Sequence, residues 1–336
     1  MADVLKFTDR GIYCPAGDFH IDPWRPVDRA LITHGHSDHA RWGMGRYLCT
    51  DGCAPVMRHR LGEIDCETVR YGEVRQIGDA RVSFHPAGHV PGSAQIRVEV
   101  KGEVWVASGD YKTVADSVSE PFEPVQCHAF ITECTFGLPV FSWTPQDILS
   151  EQINSWWADC AAAGRPAILG AYALGKAQRL LTSMNPDIGP ILTHGAIEKT
   201  NDILRGQGIA LPKTTLVTAD TTYMNHPGAL IITTPSAMAG PWIKRFPNPS
   251  TAFASGWMAV RGTRRRRAAD RGFVVSDHAD WDGLNAAIKA TGATKVFTTH
   301  GYTTTFQRWL SEQGYDAHVV STEYAGDADD NDGDAA

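Results

Sequence analysis

Residues 34–39 read His-Gly-His-Ser-Asp-His, four groups able to ligate a metal within six positions, directly after the apolar run Ala30-Leu31-Ile32-Thr33. Neutral imidazole and carboxylate are the borderline-to-hard donors that suit zinc or manganese. At alternate positions beyond a strand, His34 and His36 can converge on one ion, which leaves Asp38 and His39 for a second ion nearby. A solvated polar loop would not be enriched to this degree in ligand types. Four further candidates lie at or just beyond strand-like apolar runs. They are His89 in Pro-Ala-Gly-His-Val-Pro-Gly-Ser, Asp110 ending Val-Trp-Val-Ala-Ser-Gly-Asp, His278 in Val-Val-Ser-Asp-His-Ala-Asp, and His300 in Val-Phe-Thr-Thr-His-Gly. Any one of them alone could be an ordinary hydrogen-bonded residue. Together they supply the ligands that a two-metal site needs beyond the first cluster, with Asp110 as the bridging carboxylate.

The elements that must position these residues are legible as changes of texture. Short strand-like runs recur through the first part of the chain, at 31–33, 82–84, 94–100, 104–107 and 130–132, and Lys101-Gly102-Glu103 has hairpin chemistry. At Thr144-Pro-Gln-Asp a helix begins, with a hydroxyl N-cap and Pro in the first turn, and Ile148, Leu149, Ile153 and Trp157 follow at helical spacing. An α/β alternation comes next, with strands at 167–170, 191–193 and 229–232 and helices at 176–184 and 197–204. Strand texture resumes at 273–275 and 295–298, with a helix near 281–290 between them. The reading is a discontinuous domain over 1–143 and 269–326, an inserted α/β domain over 144–268, and a tail at 327–336.

Composition bounds the class. A chain of 336 residues that is 43% hydrophobic can build two packed domains, or one with a large insertion. The N-terminal residues carry no apolar stretch behind a basic one, so neither a secretory signal nor a membrane-spanning helix is expected and the cytoplasm is the default location. Seven cysteines without a C-x-x-C pair argue against a disulfide framework and a zinc finger. The net charge of −7 hides its distribution: the tail holds Asp327, Asp329, Asp330, Asp332 and Asp334 and no base, leaving −2 for the rest. That tail is expected to be disordered. Against this mild acidity stands the run Arg-Gly-Thr-Arg-Arg-Arg-Arg at 261–267, in which Arg264, Arg265, Arg266 and Arg267 suit bidentate contact with backbone phosphates. Lys176, just after Gly175 at a strand-to-helix turn, could meet a phosphate at the helix N-terminus. Trp242 and Trp257 could stack on bases, although core positions would suit either.

With these motifs in hand, the chain resembles the metallo-β-lactamase fold over nearly its whole length, and within it the β-CASP nuclease branch. His34-x-His36-x-Asp38-His39 with His89 and Asp110 is similar to the core signature. Glu133 in Ile-Thr-Glu-Cys-Thr-Phe-Gly, His278 in Ser-Asp-His-Ala-Asp and His300 in Thr-Thr-His-Gly are similar to the three additional β-CASP motifs. Asp22-Pro-Trp-Arg-Pro-Val, Ala171-Tyr-Ala-Leu-Gly-Lys-Ala-Gln-Arg and Ser255-Gly-Trp-Met look most like the bacterial ligase-associated DNA exonucleases. The resemblance implies an α/β fold, an αββα sandwich carrying an inserted α/β β-CASP domain. It implies two divalent ions, zinc or manganese, one held by His34, His36 and His89, the other by Asp38, His39 and His300, with Asp110 bridging. It also implies that Asp22, or else Asp28, orders the ligand loop, that Glu133 buttresses a ligand histidine, and that His278 protonates the leaving 3′-oxygen. The expected activity is phosphodiester hydrolysis by a DNA exonuclease, from a single-stranded 5′ end, in DNA repair and in functional association with a DNA ligase. Retention of His300 is shared with RNA-processing members, so a β-CASP ribonuclease is the alternative. A small-molecule metallohydrolase would share the core signature but would explain neither the insertion nor Glu133 and His278.

Overall fold

The computed structural model describes residues 3–260 and 269–320. Their contacts divide into two units, 3–142 with 278–320 and 143–260 with 269–277. The first opens with β1 (Lys6–Thr8), β2 (Gly11–Cys14), β3 (Phe19–Ile21), β4 (Arg29–Leu31), β5 (Arg46–Thr50), helix α1 (Ala54–Leu61) and β6 (Cys66–Val69). These six strands form one sheet in sequence order. Next come β7 (Arg75–Ile77), β8 (Ala80–Pro86), β9 (Ala94–Val100), β10 (Glu103–Ala107) and β11 (Ala129–Cys134). The second unit holds α2 (Gln146–Ala162), β12 (Ala167–Gly170), α3 (Lys176–Ser183), β13 (Ile191–Thr193), α4 (Gly195–Gly206), β14 (Thr215–Leu216), β15 (Leu230–Thr233), α5 (Pro235–Ala239), β16 (Ser250–Ala254) and β17 (Arg271–Phe273). The chain then returns to the first unit through α6 (Trp281–Thr291), β18 (Lys295–Gly301), α7 (Thr303–Glu312) and β19 (Asp316–Val319).

In the first unit the second sheet runs β19-β18-β11-β10-β9-β8-β7. Its centre is parallel, β10 with β11 and β11 with β18, so these strands end on the same edge of the sheet. β8 and β10 each run antiparallel to β9, so β8 also ends on that edge. Leu31 and Leu48 of the first sheet share one apolar core with Ile96, Val98 and Ile131 of the second. On the far face of the second sheet, Val106, Phe130 and Val296 pack with Leu284 and Ile288 of α6 and Phe306 and Leu310 of α7. Met57 of α1 packs with Ile32, Tyr47 and Cys49 beside the first sheet. All six residues of β11 are buried, so its apolar start Ala129-Phe130-Ile131 does not alternate and Glu133 is carried into the interior at its far end. The second unit has an all-parallel sheet, β14-β13-β15-β12-β16-β17, with α2 and α3 packed in one core and a second cluster around Ile168, Leu192, Ile231 and Phe246.

Two local expectations change. The first helical residue of α2 is Gln146, with Pro145 as its extended N-cap (ψ 141°) and no side-chain cap bond, so Thr144 lies outside the helix and caps nothing. The chain returns to the first unit at 278 rather than 269, because Arg271–Phe273 pairs with Ala252–Ala254 and Phe273 and Val275 sit in the second unit's core. The hairpin turn at Lys101-Gly102 is present, with φ of 51° and 84° at its two positions. The arginine run at 264–267 and the tail at 327–336 lie outside the described residues. Among those described, no helix is long and apolar enough to cross a membrane.

Candidate metal centre

Parallel pairing places the candidate ligands together. Beyond β4, the N–H of Ile32 still pairs with the Leu48 carbonyl, and the N–H groups of His39 and Ala40 turn back to the His36 carbonyl at 3.3 and 2.8 Å. His89 lies in the loop from β8 to β9, where the Ser93 hydroxyl accepts from the N–H groups of both His89 and Val90. The Thr33 carbonyl accepts from the Ala94 N–H at 2.8 Å, which ties the end of the first sheet's β4 to the start of β9. Asp110 follows β10. Gly109 before it takes φ +57°, and a Cβ there would stand 2.6 Å from the Thr33 side chain, so only glycine lets this loop close onto the β4 end. Glu133 is the penultimate residue of β11, and His300, at φ 51°, sits in β18 opposite the register shift between Glu133 and Cys134.

The result is a set of converging donor atoms. His34 Nε2 and His89 Nε2 approach His36 Nδ1 at 3.1 and 3.0 Å, and Asp110 Oδ2 lies 3.6 Å from His34 Nε2 and 3.9 Å from His89 Nε2. His39 Nε2 lies 3.4 Å from Asp110 Oδ2 and 3.5 Å from Asp38 Oδ2. Within each of the groups His34-His36-His89-Asp110 and His34-Asp38-His39, the ligand atoms are all within 4.8 Å of one another. The His300 ring stacks on His39 at 5.2 Å and lines a cleft with Asp38, His39 and Asp22. Every first-unit candidate is therefore at one edge of the molecule's paired sheets, with Asp110 touching both groups.

Electrostatics ask for a cation here. Burial, then neighbouring imidazoles, hold His34 well below the ordinary histidine value. Burial acts against a charge on His39 as well, but the carboxylates of Asp38, Asp110 and Asp22 outweigh it and raise that ring well above the usual value. Burial likewise pushes Asp110 upward, yet the imidazoles around it, led by His39, hold it well below the carboxylate range. Among the described residues, the buried atoms His39 Nε2 and Asp110 Oδ1 have no hydrogen-bond partner of normal geometry. Buried unsatisfied donors and acceptors are costly, and two of them aimed into one nest of imidazole and carboxylate fit a divalent ion.

The surrounding groups fix the ligands. Asp22 (φ 44°) accepts from the Thr33 N–H at 2.8 Å and the Thr33 hydroxyl at 2.5 Å, and its Oδ2 meets His39 Nδ1 at 2.7 Å, so it ties Thr33 to His39, whose Nε2 faces Asp38 and Asp110. Glu133 does not reach a histidine of the two ligand groups. Its Oε1 meets His278 Nδ1 at 2.9 Å and also accepts from the Tyr111 N–H, while Oε2 accepts from the Thr135 N–H. The His278 ring lies 4.7 Å from that of His89. Sequence reading missed two residues that hold the site. Thr33 links Asp22 to the loop, and Arg60 of α1 donates to the Gly35 carbonyl at 2.5 Å. A hydroxyl directly before the His-rich motif was a readable signal for Thr33, whereas nothing in the spacing points to Arg60. Lys176, expected to meet phosphate, is 5% exposed, with Nζ 3.8 Å from Asp277 Oδ2 and 4.3 Å from the Tyr172 ring centroid. Arg179 donates to the same Asp277 carboxylate and to the Ser276 carbonyl, so both cations of α3 serve an internal acid.

No protein-family model matches the chain. It is 31% identical over 320 residues to a probable DNA ligase of Opitutus terrae, an alignment covering 94% of this chain and 31% of that protein. It is 26% identical over 209 residues to an RNase J-like protein of Methanocaldococcus jannaschii, covering 52% and 48%, and 24% identical over 197 residues to cleavage and polyadenylation specificity factor 73 of Drosophila melanogaster, covering 52% and 28%. The chain thus spans less than half the length of these curated relatives. In fold it is similar to a protein of unknown function from Enterococcus faecalis, with a TM-score of 0.60 at 9% identity over 88% of this chain and 80% of that one. Together with the clustered histidines and aspartates, these relatives support a β-CASP metallo-β-lactamase nuclease family for the chain.

Proposed function

We propose that the protein is a two-metal DNA exonuclease that hydrolyses phosphodiester bonds, working from single-stranded 5′ ends in cytoplasmic DNA repair. In this reading the first unit is an αββα sandwich and the second is its inserted β-CASP domain. The observation that carries it is the pair of candidate ligand groups that share His34, with Asp110 of the first 3.4 Å from His39 of the second. His34, His36 and His89 would hold one ion and Asp38, His39 and His300 the other, with Asp110 between them. Zinc or manganese bound there supplies charge neutralisation at phosphorus and lowers the pKa of water. The chain's own residues do the rest. Glu133 fixes the His278 ring through Nδ1, leaving Nε2 to hold the proton that passes to the leaving 3′-oxygen. Asp22 keeps the His39 ring oriented for its ligand role.

DNA is favoured because nearly the whole chain aligns with part of a protein named as a DNA ligase, which also suggests a ligase as functional partner. A β-CASP ribonuclease is the second reading, favoured by the RNase J-like and cleavage-factor relatives and by the presence of His300. Side-by-side digestion of 5′- and 3′-labelled DNA and RNA, single- and double-stranded, with zinc or manganese, decides between them. Release of mononucleotides from 5′-labelled single-stranded DNA, absent in Asp110→Ala, is the expected outcome. Preferential degradation of RNA would establish the ribonuclease, and degradation of neither polymer would remove the nuclease reading.

A further inference from the structure

Trp42 follows the candidate ligand His39 by three residues and is 75% exposed, while each of the other nine tryptophans is buried or half-buried. Trp242, by contrast, packs edge-on against His194 and Phe246. Leaving an indole in water is unfavourable, and a floppy loop would let it fold back onto the surface. This loop is pinned on both sides of Trp42. Ala40 is fully buried with its N–H on the His36 carbonyl, and Arg41 donates to the Trp24 carbonyl at 3.0 Å. The Tyr47 hydroxyl donates to the Arg41 carbonyl at 2.7 Å and accepts from the N–H of buried Met44 at 3.1 Å. Gly43, at φ +99°, turns the chain away directly after the indole.

Resting on the nuclease reading above, we propose that Trp42 is a stacking platform for an unpaired base of the strand being cleaved. Three residues of chain reach at most about 11 Å, so the platform stands within a nucleotide or two of the ligand loop. The stretch that follows carries cations able to meet a polyanion: Arg46 and Arg58 are exposed, and Arg41 adjoins the indole in the chain. An exposed indole with cations on the same stretch of chain is a combination that holds single strands without regard to sequence, the ring taking the base face and the cations the backbone. A protein partner would need a contiguous apolar patch, whereas the exposed residues next in the chain are Gly45 and Arg46. A duplex keeps its base faces stacked within itself, so the platform selects unpaired ends.

The test is steady-state cleavage of a single-stranded oligodeoxynucleotide and of its duplex by wild type, Trp42→Ala and Trp42→Phe. It is paired with anisotropy of a fluorescein-labelled strand bound to Asp110→Ala with and without Trp42→Ala. Trp42→Ala should raise KM and the dissociation constant for the single strand roughly five- to 100-fold with kcat within about twofold, Trp42→Phe should recover most of the affinity, and a run of abasic sites should erase the difference between the variants. Unchanged KM and dissociation constant in Trp42→Ala would overturn the platform, as would an equal weakening on abasic strands or a change in oligomeric state alone. Tight binding by the wild type without cleavage would overturn the nuclease reading and leave the platform standing.

Discussion

At the scale of single residues, the centre is a balance of three carboxylates against five imidazoles in a space that excludes most water. Asp22, Asp38 and Asp110 converge on His39, and two of the buried atoms there have no hydrogen-bond partner of normal geometry, which is the signature of a place for a cation rather than of a polar core. His278 differs from the other candidate histidines because its Nδ1 meets Glu133 and, beside His89, it groups with Asp110 and Glu133 rather than with His34, His36 or His39. His278→Ala should therefore lower kcat about 10²- to 10⁴-fold while bound zinc or manganese, read by elemental analysis, stays at the wild-type level. Loss of an ion in that variant would make His278 a ligand instead. The sequence made the His34–His39 cluster legible because four ligand types fall within six residues. The Glu133–His278 contact was not legible in that way, since 145 positions separate the pair and only the parallel register of β11 and β18 with the return at 278 brings them together.

At the scale of elements, the site is built by strand ends, and its precision comes from what fastens those ends. Asp22 sits in a left-handed conformation beyond β3 and joins Thr33 to His39 across two elements. Asp22→Ala frees the His39 ring and leaves the Thr33 N–H without its acceptor, so metal affinity, measured by chelator competition, should fall about 10- to 100-fold with the fold retained. An unchanged affinity would mean that the loop is held by other contacts. In the second unit α3 uses its cations inward: Lys176 and Arg179 both face Asp277, which is 2% exposed. Arg179→Met removes the closer partner from a buried carboxylate and should destabilise the protein by about 3–5 kcal/mol, read as a lowered urea midpoint. Element types were readable where the pattern ran long enough to show its period, as in the alternation of β9 and the helical spacing of α6, or where a run was mostly apolar, as in β10. β1 to β3 were unreadable because runs of three or four residues that mix polar with apolar carry too little periodicity to separate strand from loop, whereas the equally short but largely apolar β12 and β13 stood out. The α2 start was misplaced for a local reason: Pro145 is itself the extended cap, which moves Thr144 out of reach.

At the scale of the whole chain, the question is how a molecule with net charge −7 would hold a polyanion. Five of the 38 acids fall within the ten residues 327–336, which leaves −2 for the rest of the chain, and Arg264, Arg265, Arg266 and Arg267 form its densest run of bases. With Lys176 committed to Asp277, the arginine run is the stronger source of phosphate contacts in the inserted segment. Replacing the four arginines together with Ser should weaken binding to every sequence alike, because backbone contacts carry no base information. The slope of log affinity against log salt should flatten by about 0.7 for each phosphate of a single strand that is no longer neutralised. Turnover at saturating strand should stay within a fewfold of wild type, since none of the four is among the candidate metal ligands. Affinity and salt slope both unchanged would make the run a solvated segment, and the electrostatic footprint would then have to lie with Arg41, Arg46, Arg58 and Arg60, where neutralising substitutions should flatten the same slope.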